Sequence, residues 1–491
     1  MLFRTGALAV VAVACFAQTS FKPVIPKIWD DAEIAEMEVP LANPEYSPRH
    51  VPAEYYYRIP VRPIYRSYPV YAPDRAPTGY LDLLRQKEPE IVFDASRLGT
   101  PQEWNRAGEA VFDAATSYDE PFKLEDLLDS QWWSSVKPVL ARDGTLAGLR
   151  YVIRKKGKVE LGSLSCATCH TRVLADGTIV KGGQGNFPFD RALAWRDRRG
   201  AEQAVRNTFL LLFTAQWVPQ RQERITRLGV AELAAAREAI PPGVIARNRS
   251  SVFHPPATPD LFGVRQREFL DKSGLTVQRS VKSLMRYAAM AEGIDFLSNY
   301  GGFIPEGKDF KVRPPAESQQ RFSEEQLYAL ALYLSELPPP LNPNRIDSAS
   351  ERGGKVFARE GCATCHTPPL YTANKLIPVR GFQVPAEHRK KYDILEIDIG
   401  TDPSLTMETR RGTGYYKIPS LRNVWCRGPF EHNGSVATLE DWFDPARLRD
   451  DYVPTGFKGH DVKTRAVKGH EFGLKLSAED KKALIAFLKI L

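Results

Sequence analysis

Two five-residue segments carry the chemistry of this chain: Cys166-Ala167-Thr168-Cys169-His170 and Cys362-Ala363-Thr364-Cys365-His366. Each reads C-x-x-C-H. In that pattern two thiols add to the vinyl groups of a haem, and the adjacent histidine reaches the iron as proximal ligand. Two C-x-x-C pairs would also suit a single zinc site. A thiol-redox C-x-x-C needs a surrounding βαβ pattern, which this sequence lacks. Recurrence of the whole motif favours two covalently bound haem c groups. Cys166, Cys169, Cys362 and Cys365 then hold the haems, His170 and His366 ligate the irons, and the chemistry is redox.

The remaining cysteines and the leader agree with that reading. Met1 to Arg4 followed by the apolar run Ala7–Ala17 reads as a signal peptide over residues 1–20, and the run is too short to span a bilayer. The expected location is periplasmic, or otherwise exported from a bacterial cytoplasm. Cys15, after Ala12-Val13-Ala14, resembles a weak lipobox. Its lipidation would add peripheral membrane attachment; its loss with the leader is the simpler outcome. Of six cysteines, Cys426 is then left alone, so the mature chain forms no structural disulfide, and Cys426 is expected to be a buried apolar residue. A net charge of +8 over 491 residues is mild. It permits docking to an acidic redox partner or an anionic surface, and the absence of Lys/Arg clusters argues against nucleic acid.

The elements that must position these motifs come in duplicate. Helices are expected over Trp104–Thr116 and Glu351–Arg359, each preceding a C-x-x-C-H. Turn segments Thr258–Val264 and Ile418–Val424 follow, and each half closes on a helix. Ser323 with Gln326, and Ser477 with Asp480, give those closing helices N-terminal capping signals. The fold class is mainly α: two cytochrome-c-like helical haem domains with long loops and an extended N-terminal arm. Eleven prolines in residues 21–80 forbid long helices and give no strand period. The expected division is arm 21–80, first haem domain 81–337, Pro-rich linker 338–349 and second haem domain 350–491. The first domain carries an insertion over 181–256 with a helix Ala201–Trp217. A short hairpin is expected over Leu149–Leu161.

Ile418-Pro419-Ser420-Leu421-Arg422-Asn423-Val424, then Gly428-Pro429-Phe430-Glu431-His432-Asn433-Gly434-Ser435 and Leu439-Glu440-Asp441, resemble a segment of the bacterial di-haem cytochrome c peroxidase superfamily. That group includes the peroxidases, the methylamine-utilisation enzyme and the di-haem rubber oxygenases. Thr258–Val264 and Phe269–Gly274 match the same pattern more loosely. The resemblance covers about Pro101 to the C-terminus. It implies that the His170 haem meets the oxidant and the His366 haem relays electrons.

Departures from the family pattern narrow the ligands. No histidine lies between His170 and His254, so the first iron is expected to keep an open or water-filled sixth position, with His254 as the minority ligand. Asp444-Pro445-Ala446-Arg447 stands where many peroxidases place a ligating methionine. The remaining sixth ligands for the second iron are His470, which is favoured, and His460; Met407 is the fallback. An open first haem and a bis-His second haem resemble the rubber oxygenases, as does the 196-residue gap between motifs (362 − 166). The family's acid–base glutamate falls nearest Glu292. Arg286 is the candidate for stabilising negative charge, and Phe296 would suit an apolar oxygen pocket. A solvated helix face is the plain alternative for Glu292 and Arg286. Leu270 stands where the family often has a bridging tryptophan, leaving Trp195 or Trp217 as substitutes.

The leading reading is an exported di-haem peroxidase-like oxidoreductase acting on H₂O₂ or O₂. Its electron donor would be a small cytochrome, a cupredoxin or an organic substrate. The alternatives are an oxygenase cleaving an apolar alkene or polyisoprenoid, and a non-catalytic electron-transfer cytochrome.

Overall fold

The computed structural model describes residues 21–305 and 319–491; the leader and Cys15 lie outside the described residues. Segment 21–80 is not a surface arm. Ile28, Trp29, Tyr55 and Tyr56 are buried in the first hydrophobic core, and the Trp29 and Tyr56 rings stack with centroids 4.2 Å apart. Within it, Ser67–Tyr71 forms strand β1. The strand forms although the prolines of this segment give no strand period. β1 lies at the edge of its sheet, where Pro69 costs little because one side of an edge strand has no ladder partner.

Helix α1 (Pro101–Asp113) starts at a capping box formed by Thr100 and Glu103. Strands β2 (Ser117–Tyr118), β3 (Thr145–Lys155) and β4 (Lys158–Leu164) join β1 in a four-stranded antiparallel sheet, order β1-β3-β4-β2. The expected short hairpin is thus the centre of a larger sheet. Trp132, Tyr151, Leu161 and Trp195 pack into a core beside it. Helix α2 (Val281–Ala291) packs Leu284, Met285 and Ala289 into the first core. Helix α3 (Glu324–Glu336), capped by Ser323 and Gln326, closes the first half. Helices α4 (Ser348–Arg359) and α5 (Ala478–Ile490) open and close the second.

The duplication is visible in how the helices cross. A Cβ built on Gly108 of α1 would lie 2.0 Å from the Ala329 carbonyl oxygen of α3; one on Gly353 of α4 would lie 2.0 Å from that of Ala483 in α5. Only glycine lets either pair approach so closely. The turn segments repeat as well. Left-handed backbone occurs at Gly263 and Asn423 (φ 66° and 59°), Asp271 and Glu431 (71° and 74°), and Gly274 and Gly434 (65° and 73°). Members of each pair are 160 residues apart (423 − 263, 431 − 271, 434 − 274).

The inserted helices dock on the second half. Val205, Phe209, Phe213, Ile225 and Leu233 form a third core that includes Phe457. Trp217 Nε1 donates to the Met407 carbonyl at 2.9 Å, and Arg410 Nε to the Thr214 carbonyl at 2.9 Å.

Candidate cofactor sites

The first motif forms a short helix, Cys166–His170, started by Ser165. Thr168 Oγ1 donates to the Gly148 carbonyl of β3 at 2.9 Å, which ties the motif to the sheet. His170 Nδ1 lies 3.0 Å from the Pro259 carbonyl oxygen. A carbonyl only accepts, so Nδ1 carries the proton and Nε2 keeps its lone pair for a metal. Burial, then the charge of Arg247, lowers the imidazole to about 4, so it is neutral at pH 7. Cys166 packs against the first core with Tyr287 and Ala288 of α2, and Cys169 against the core beside the sheet.

The second motif repeats the clamp. Gly361, in left-handed backbone, leads into the turn Cys362–Thr364. His366 Nδ1 lies 3.1 Å from the Tyr371 carbonyl oxygen, and burial lowers its imidazole to about 4. A mostly apolar cavity of about 250 Å³ opens here, lined among others by Cys362, His366, Leu439, Trp442, His470 and Leu484. The rings of His366 and His470 face each other across it with centroids 6.4 Å apart. A metal–imidazole nitrogen bond is about 2 Å. Two rings on opposite sides of one ion therefore place their centroids roughly 6 Å apart.

His470 is held as firmly as a ligand needs to be. Its backbone N–H donates to the Ile399 carbonyl at 2.6 Å. Trp442 and Phe472 meet its ring edge to face at 5.2 and 5.3 Å. Arg447, 1% exposed, donates to the carbonyls of Trp442, Val467, Gly469 and His470 at 2.7–2.9 Å. The backbone at His470 is left-handed, φ 45°, an uncommon state for a side-chain-bearing residue. Its Nδ1 is buried without a hydrogen bond. Burial, then His366, lowers the ring to about 4. Paired C-x-x-C-H clamps, an apolar cavity and an orphaned imidazole nitrogen opposite His366 fit a haem. Among the described residues no three His, Cys, Asp or Glu converge on a metal point, so the four motif cysteines do not form one zinc site.

Other candidates divide. His460 pairs with Asp461 at 2.8 Å on its loop and does not line the cavity between His366 and His470. His254 Nε2 lies 3.7 Å from Glu408, turned toward the second half. Glu292 caps the end of α2; its Oε1 is buried without a partner, and burial pushes its carboxyl well above the usual range. Its charge reaches Cys166. Phe296 is half-buried on the turn Ile294–Leu297. Arg286 requires correction. Its guanidinium pairs with Glu33 and donates to the Ile28 carbonyl at 2.5 Å, so the N-terminal segment occupies it. Arg247 is the guanidinium whose charge acts on His170 and Cys169. Nothing in its sequence surroundings singles it out. Arg247 sits with Tyr287 and Asp271; Arg411 also pairs with Asp271, and the two hold its carboxyl well below the usual range against burial. Trp195 donates to Asp126 and Trp217 to the Met407 carbonyl. Cys426 is buried.

No family model matches the chain. Over 168 residues, 30% of this chain and 41% of the relative, it is 28% identical to cytochrome-c peroxidase IdrP1 of Pseudomonas sp. (strain SCT). Over 151 residues, 25% of this chain and 35% of the relative, it is 24% identical to protein y4iM of Sinorhizobium fredii. The chain thus spans less than half the length of these curated relatives. Hydrazine synthase of Kuenenia stuttgartiensis aligns over 59% of this chain and 86% of its own, at 17% identity and TM-score 0.28. A MauG-like protein associated with microbial copper homeostasis aligns over 34% and 56%, at 19% identity and TM-score 0.22.

Proposed function

We propose that this chain is an exported di-haem c-type oxidoreductase of the peroxidase kind. Cys166, Cys169 and His170 would hold the haem that meets H₂O₂ or O₂. Cys362, Cys365, His366 and His470 would hold the relay haem. The observation that carries the reading is the His366–His470 pair, 6.4 Å between centroids across a cavity that also holds Cys362. The partial likeness to a cytochrome-c peroxidase supports the same class.

When attached, haem supplies one-electron redox chemistry and an iron on which an oxidant can bind. The protein supplies the rest. Pro259 and Tyr371 orient the proximal imidazoles and make their Nε2 atoms more basic by accepting from Nδ1–H. No histidine is placed opposite His170 as His470 is opposite His366, among the described residues. Burial raises the Glu292 carboxyl well above the usual range beside the Cys166 site, which favours the protonated form that a general acid requires. Arg247 adds positive charge beside His170 and Cys169 at this site.

Pyridine haemochrome on acid–acetone-extracted protein should report two haems per chain. EPR should show one low-spin and one high-spin ferric centre, with cyanide converting the second. One haem or none overturns the reading. Two low-spin centres that ignore cyanide would make the chain an electron-transfer cytochrome, and a bound-O₂ spectrum in protein that ignores peroxide would favour the oxygenase.

A further inference from the structure

We propose that Lys272 and Lys417 form a carboxylate-binding pair that seats the propionates of the haem held by Cys362, Cys365 and His366, one lysine from each half of the chain. This rests on the reading above and adds residues to that site which the motifs do not reveal.

The charge lining the cavity is unbalanced. Four cationic side chains line the cavity, Arg267, Lys272, Lys417 and Arg427, against two carboxylates, Asp260 and Glu431. Asp260 is shared by both arginines, at 2.7 Å from Arg267 and 2.9 Å from Arg427. Glu431 is in contact with His432. The lysines are left over. Lys417 Nζ reaches only the Phe269 carbonyl, at 3.2 Å. The Lys272 ammonium makes no hydrogen bond or ion pair among the described residues. An ammonium removed from bulk water without an anion is strongly unfavourable. Burial and the neighbouring cations accordingly lower Lys272 to about 8 and Lys417 to about 7. Two half-buried ammonium groups lining a mostly apolar cavity, neither with an ion-pair partner, make a site that lacks its anion.

The occupant follows from the same cavity. Attachment at Cys362 and Cys365 uses the vinyl edge of a haem, so its two carboxylates must find cations elsewhere. With both arginines spent on Asp260, the lysines are the free cations among the lining residues. They are also neighbours by construction, because the Lys417 backbone N–H donates to the Lys272 carbonyl at 3.0 Å across the seam between the halves.

The test uses the full-length holoprotein, with Lys272→Met, Lys417→Met and Lys417→Arg. Positive charge near a haem disfavours the ferric state, so each Met variant should raise the ferric-to-ferrous ratio of the low-spin haem at fixed potential by roughly tenfold, about 59 mV. Lys417→Arg should restore most of it. The propionate bending band in resonance Raman should shift in the Met variants and not in the Arg variant. Unchanged potentials and bands in both Met variants, with two haems per chain, would overturn the pair and leave the wider reading standing. Fewer than two haems in the parent protein would overturn both. Should a Met variant yield no holoprotein, the parent decides. Paired propionates keep its low-spin potential flat from about pH 5 to 8. A tenfold change per pH unit across that range, about 59 mV, would overturn the pair.

Discussion

At the scale of single residues, two histidines that sequence pattern leaves nearly equivalent differ sharply in space. His470 faces His366 and is pinned by Ile399 and Arg447, whereas His460 is paired with Asp461. His470→Ala should therefore convert the low-spin ferric EPR signal to high-spin, and His460→Ala should leave it unchanged. Arg447→Met, which frees four carbonyls around the His470 loop, should produce a mixture of the two signals. Glu292 yields a second test. Its Oε1 is buried without a partner, and burial raises the carboxyl well above the usual range, which favours the protonated form. Glu292→Gln keeps the shape and removes the exchangeable acid. Stopped-flow reaction with H₂O₂ should slow by about 10²–10⁴-fold, the usual worth of general acid–base help, while haem content and cyanide affinity stay near those of the parent. An unchanged rate would remove Glu292 from the mechanism.

At the scale of elements, the two helix crossings depend on glycine. A methyl at Gly353 would press on the Ala483 carbonyl and the Phe487 side chain, and one at Gly108 on Ala329 and Tyr333. Backbone cannot yield as a flexible side chain can, so Gly353→Ala should cost about 1–3 kcal/mol or more, the range for overpacking. Chemical denaturation of the holoprotein would measure it. The closing helices were legible because Ser323 and Ser477 cap them from within a few residues of the apolar face they introduce, whereas the opening helices begin at Pro101 and Ser348, three residues before the expected Trp104 and Glu351. The C-x-x-C-H motifs were legible for the same reason, since all their chemistry is contiguous. Segment 21–80 was misread because the burial of Trp29, Tyr55 and Tyr56 follows no period, and because β1 exists through pairing with a strand some eighty residues later. Arg286 is taken up by the same kind of distant contact, with Glu33 and Ile28, which sequence order does not show. Arg447 stood in view in the segment lacking methionine, but its four carbonyl partners are set by tertiary folding alone.

At the scale of the whole molecule, the two halves meet at a buried charge that they share. Asp260, from the first turn segment, binds Arg267 of its own half and Arg427 of the other, at equivalent positions 160 residues apart (427 − 267). Asp260 is 3% exposed. Burial would raise its carboxyl, but the two guanidiniums outweigh burial and hold it down at about 2, against 3.8 unperturbed. A carboxyl held below its unfolded value contributes stability that is complete above about pH 4 and is lost as pH falls toward 2. That difference corresponds to roughly 2 kcal/mol. Unfolding free energies of parent and Asp260→Asn holoprotein should therefore differ by about that amount or more near pH 6, because the variant also leaves two half-buried arginines without their anion. The gap should narrow steadily below about pH 4. A gap of constant size down to pH 2 would show that packing rather than charge joins the halves at this point. Since Asp260 adjoins Pro259, whose carbonyl orients His170, the same acid titration followed in the Soret band should report loosening at the first haem site as the halves part.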